Sequence, residues 1–177
     1  MKPVAKSATP AAIAVLRQAT ALAPKRKKVS DGLLPSRAHI KANPNSDHNT
    51  GHAVDLSHDP HNGIDCGEIY EKLKDDKRVS YLIFSGRIWS KENGDREYDG
   101  PNKHVSHLHI SIKEEHDRDT SPWFPWLEKA KRTPKDVITV AKSKTSKPKK
   151  KTAKAPNKNK VLRRKSLLMS LFRKGKQ

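Results

Sequence analysis

Residues 46–55, Ser-Asp-His-Asn-Thr-Gly-His-Ala-Val-Asp, restrict the fold more than any other stretch of this 177-residue chain. They place two metal-ligand types, His48 and Asp55, seven positions apart around a glycine, and about fifty residues later His107-Leu-His109-Ile-Ser-Ile supplies more imidazoles. A catalytic zinc takes three protein ligands, commonly histidine nitrogens and a carboxylate, and keeps a fourth position for water. Strand periodicity fits both segments to that purpose. With side chains alternating, Ala53, Asp55 and Ser57 share one face, with Val54 and Leu56 on the other. In the second segment His107, His109 and Ser111 share a face opposite Leu108, Ile110 and Ile112. Paired as neighbouring antiparallel strands, the two put Asp55 and His109 on one side of a sheet and their apolar residues on the core side. His48 then arrives from the preceding loop, where Gly51 allows a turn closed to larger residues and Ala53 leaves room beside a metal.

The pattern Ser46-x-His48-x-x-Gly51-x-Ala53-x-Asp55 followed by His107-x-His109 resembles the signature of a group of zinc peptidases. The group includes D-alanyl-D-alanine carboxypeptidases and bacteriophage L-alanyl-D-glutamate endopeptidases, and the metal-binding fold of hedgehog signalling domains is similar. Within it the chain most resembles small peptidases encoded by phages of Gram-positive hosts. The likeness spans about residues 9–112, and the combined motif is far more specific than a lone His-x-His. It implies Zn2+ held by His48, Asp55 and His109. Many members carry Asp or Glu three residues before the last ligand as general base, and here that position is Ser106. A hydroxyl cannot take that role near neutral pH. The substitutes are His107, which shares the ligand's face, then His104, and Asp99 from the turn at residues 98–101.

Composition divides the chain. Residues 131–177 hold 18 of the 38 Lys/Arg and one of the 19 acids, so residues 1–130 carry 20 bases against 18 acids and are near neutral. With 33% hydrophobic residues there is material for one core and not for two. We expect an α+β domain over residues 1–130, built on a small antiparallel sheet that carries the zinc site and is flanked by helices. A disordered Lys/Pro-rich linker is expected over 131–160 and a basic amphipathic helix over 161–177. The single cysteine, Cys66, excludes an internal disulfide and reads as a small packing residue.

The elements follow from local signals. Residues 9–23 read as a helix, capped by Thr9, with Pro10 at its first position and Pro24 as its stop. A signal peptide over the same stretch is disfavoured, because Arg17 and Gln18 interrupt its apolar run. A basic turn at residues 25–28 and a loop marked by Ser30-Asp31-Gly32 and Pro35 lead to the motif. Asp65 caps a helix over residues 67–76, with Ile69, Tyr70 and Leu73 on its buried side. Val79–Phe84 reads as a central strand, residues 87–89 as the next, and residues 92–95 as a hairpin turn. Residues 122–127, with two of the three tryptophans, read as a short helix closing the core. Trp89 and Tyr98 are read as packing residues, His39 and His61 as surface or hydrogen-bonded histidines, and Arg87 as a salt-bridging residue ahead of a carbonyl-polarising one. His52 and His58 flank the motif and can line a groove.

Two function classes remain open. The first is a zinc peptidase acting on the stem peptide of peptidoglycan, made as a monomer in a bacterial host cytoplasm without a signal peptide and acting at the cell wall. Its basic tail would meet anionic membrane or teichoic acid, with nucleic acid the less favoured partner because the tail lacks interleaved aromatics. The second is a non-catalytic zinc-binding module whose tail supplies affinity for nucleic acid or an anionic envelope. A three-ligand open site favours the first, and a fourth protein ligand such as His107 favours the second.

Overall fold

A computed structural model describes residues 4–131. The expected linker at 131–160 and helix at 161–177 lie, but for Lys131, outside the described residues. The chain is α+β. Helix α1 (Pro10–Leu22) is followed by α2 (Arg37–Ala42), a 3-10 turn (Asp47–Thr50), strand β1 (Ala53–Ser57) and α3 (Cys66–Leu73). Strands β2 (Val79–Phe84), β3 (Arg87–Ser90), β4 (Gly94–Glu97) and β5 (His107–Ile112) come next, and α4 (Pro125–Lys131) closes the described part. The five strands form one sheet in the order β1-β5-β2-β3-β4, every neighbouring pair antiparallel.

One face of the sheet is the core. Val54, Leu56, Leu82, Leu108 and Ile110 are buried there against Ala11, Ala12 and Val15 of α1 and Ile69, Tyr70 and Leu73 of α3. Alanines on α1 have too little side chain to hold the helix away from β1. Thr9 caps that helix by accepting from the Ala12 amide, and Asp65 caps α3 by accepting from the Gly67 and Glu68 amides, both satisfying N–H groups that the first helical turn leaves unpaired. Trp123 and Phe124 are fully buried members of the same core. The Arg78 guanidinium lies 3.6 Å above the Trp123 ring, while the Trp123 amide donates to the Gln18 side chain of α1.

Several boundaries differ from expectation. The closing helix runs Pro125–Lys131 rather than 122–127, so that Trp123 and Phe124 enter the core just ahead of it. Helix α3 stops at Leu73 rather than running to residue 76, because Asp76 accepts from both the amide and the guanidinium of Arg78 and turns the chain into β2. The β3–β4 turn is residues 91–93 rather than 92–95, since Gly94 takes the left-handed conformation (φ 65°) and already pairs with Ser90. Helix α2 falls in a stretch read as loop, and Ser36 starts it by accepting from the His39 amide. No helix among the described residues is long and apolar enough to cross a membrane.

Candidate metal centre

The open face of the sheet carries the polar residues. Register pairs Asp55 directly with His109 across β1 and β5, the arrangement expected from the alternation. His48 comes from the 3-10 turn, where Ser46 accepts from the His48 amide and Gly51, at φ 75°, ends the turn. A β-carbon on Gly51 would come within 2.7 Å of the Ser7 carbonyl.

The three side chains converge. The carboxylate Oδ1 of Asp55 is 3.0 Å from His109 Nδ1 and 3.2 Å from His48 Nε2, and ligand atoms of all three lie within 4.8 Å of one another. A tetrahedral ion bonded at about 2.0–2.1 Å separates its ligand atoms by roughly 3.3 Å, so these residues fit a metal. His48 Nδ1 sits 3.0 Å from the Leu33 carbonyl. The carbonyl only accepts, so the proton is on Nδ1 and the Nε2 lone pair is free for the ion, the outer support that metal-binding histidines need. His109 Nε2, by contrast, is buried without a hydrogen-bond partner. Gly32 makes the approach possible: its backbone pairs with Asp55 in both directions, and a β-carbon there would lie 3.0 Å from Asp55 Oδ2.

The charges are consistent with such a site. Burial would raise the Asp55 carboxyl, but hydrogen bonds from His109 and His48 overcome it and hold the group far below the usual carboxylate range. Burial likewise opposes protonation of His48, and the Asp55 carboxylate outweighs it to leave the imidazole raised. His107 is lowered, chiefly by burial. His104 is lowered to about 4 by burial and then by His109 and His107.

A cleft of about 500 Å³ opens over these three side chains. His104 and His107 line it, with ring centroids 4.8 Å apart. His107 Nε2 is 3.8 Å from Asp55 Oδ1, and its Nδ1 is 3.1 Å from the Ser106 hydroxyl. His104 takes a left-handed backbone conformation (φ 53°), and its Nδ1 sits 2.6 Å from the Asn102 carbonyl, which leaves Nε2 as an acceptor.

No family model, curated protein or solved structure matches this chain.

The remaining candidates divide. Asp99 is exposed and is not among the described residues lining the cleft; its neighbour Tyr98 faces the cleft instead, against His104. His52 bonds to Thr50, and His58 accepts from the Cys66 amide beside Phe84, so neither lines the groove. Arg87 turns to the opposite side and pairs with Asp95 and Glu71. Cys66 is buried, donates to the Leu56 carbonyl, and has its thiol pushed up to about 12 by burial. Among the cleft residues that were not anticipated, two touch the His48/Asp55/His109 group. His39, on α2, bonds to Ser46 and meets His48 edge to face at 5.8 Å; Ser36 ahead of it was the available helix signal. Tyr81, in the stretch read as a central strand, stacks on His109, and only the register of β2 against β5 could have revealed it.

Proposed function

We propose that this chain is a zinc-dependent peptidase that cleaves the stem peptide of bacterial peptidoglycan. The observation that carries the proposal is a His48/Asp55/His109 group facing a cleft of about 500 Å³. Two imidazoles and one carboxylate suit zinc among the common divalent ions, and the likeness of the motif to wall-cutting peptidases supplies the substrate class. When bound, zinc contributes Lewis acidity and brings the pKa of a coordinated water to about 7.

The chain's own groups do the rest. His107 and His104, both in the cleft, stand where the usual acid is replaced by Ser106. With its Nδ1–H held by the Asn102 carbonyl, His104 can receive a proton on Nε2. His107, anchored at Nδ1 by Ser106, presents Nε2 beside the ligand cluster. One takes the proton from the attacking water and a histidine returns it to the leaving amine. Replacing His107 with alanine should lower kcat by about 10²–10⁴-fold while zinc stays bound; a loss of zinc in that variant would instead mark His107 as a fourth ligand and favour the structural-zinc reading.

The direct test is digestion of purified peptidoglycan, with mass spectrometry of the released peptides. We expect new amino termini or free D-Ala, abolished by a chelator and restored by zinc, and none from the His48→Ala variant. Undiminished cleavage by that variant would refute the assignment.

A further inference from the structure

The ligands sit on three separate segments, and only His48 has a hydrogen bond that fixes its ring through the second nitrogen. An imidazole without such a bond is free to turn about its outer torsion, which is broad, and to withdraw the ligating nitrogen. His109 is held by other means. The Tyr81 ring lies stacked on it, centroids 5.4 Å apart and planes 20° from parallel. The Tyr81 hydroxyl in turn faces the Asp47 carboxylate and the Ser111 hydroxyl, and Asp47 accepts from that Ser111 hydroxyl on β5. Tyr81 and Ser111 are register partners across β2 and β5. Asp47 immediately precedes His48, and its carbonyl accepts from the His52 amide and the Thr50 hydroxyl, which fixes the turn that carries this ligand.

We propose that Asp47 and Tyr81 form a brace that sets the metal affinity of the site, by locking the His109 ring and tying the His48 turn to β5. They are positioning residues: nothing in the brace belongs to the His48/Asp55/His109 group itself. The inference concerns metal retention, so it stands apart from the peptidase reading and its test needs no substrate.

The test is a competition titration of the full chain with zinc against a chromophoric chelator, with the Co2+ absorption spectrum as a second readout. Tyr81→Leu, which removes both stack and anchor, should weaken zinc binding about 10–100-fold and alter the Co2+ bands. Tyr81→Phe keeps the stack and should lose less. Ser111→Ala and Asp47→Asn take single bonds from the brace and should each weaken binding several-fold, which keeps the question answerable if Tyr81→Leu does not fold. Leu73→Ala, which destabilises the core away from the site, serves as control and should leave affinity unchanged. Zinc binding within two-fold of wild type in Tyr81→Phe, Ser111→Ala and Asp47→Asn overturns the brace. A loss in the Leu73→Ala control equal to theirs overturns it too, since affinity would then follow stability alone.

Discussion

Gly32 and Asp55 exchange backbone hydrogen bonds so closely that any side chain at position 32 would press on the ligand carboxylate. Gly32→Ala should therefore weaken zinc binding by about ten-fold with little change in fold, a shift within reach of the same competition titration. A second residue-scale feature supports the loop from behind. The Arg26 side chain is wholly buried and pairs with Asp31, which also accepts from the Ser57 amide and hydroxyl. Burial pushes the Asp31 carboxyl up, but these bonds prevail and its pKa is lowered. A depressed carboxyl contributes fully above the unfolded value of about 4 and is lost as pH falls through the folded value. Urea midpoints of the wild type should thus drop below about pH 4, and Asp31→Asn should flatten that part of the profile. Arg26→Ala, by leaving the half-buried Asp31 carboxylate without its cation, should cost about 1–3 kcal/mol by denaturant titration. The convergence of Asp55 and His109 was legible because their strand phase places them on one face, with His48 brought in by the turn before β1. Asp47 and Tyr81 were not, because their roles arise only when β2 lies against β5 and the 3-10 turn folds over both.

At the scale of elements, local signals placed α1, β1, β2 and β5 well. Thr9 with Pro10 opens α1, and alternation of apolar and polar residues phases β1 and β5. What local reading missed is decided by side chains reaching beyond their own segment. Asp76 gives its carboxylate to Arg78 and ends α3 early. Helix α2 has no buried residue, so no apolar periodicity announces it. Its cap is correspondingly important: Ser36→Ala should cost that helix about 1 kcal/mol and increase hydrogen exchange in residues 37–42, leaving the sheet protected. The aromatic exit segment does announce itself, and Trp123 fills the core beneath Arg78. Trp123→Ala should destabilise the fold by about 3–5 kcal/mol, read as a fall in the urea midpoint. A variant with an unchanged midpoint would mean that this residue does not close the core.

Across the whole chain, charge and chemistry are separated. The near-neutral first 130 residues carry the ligand group and its cleft, while residues 131–177 hold 18 Lys/Arg against a single acid. Under the proposed function that tail is a tether to an anionic envelope, so its deletion should leave cleavage of a soluble stem peptide intact and weaken binding to whole walls. Every functional reading above requires that His48, Asp55 and His109 together hold one ion. Metal analysis of the purified chain after equilibration with zinc and removal of the excess measures this directly. The account predicts one zinc per wild-type chain and essentially none in Asp55→Ala or His109→Ala variants that remain folded; one full equivalent retained by either folded variant would contradict it.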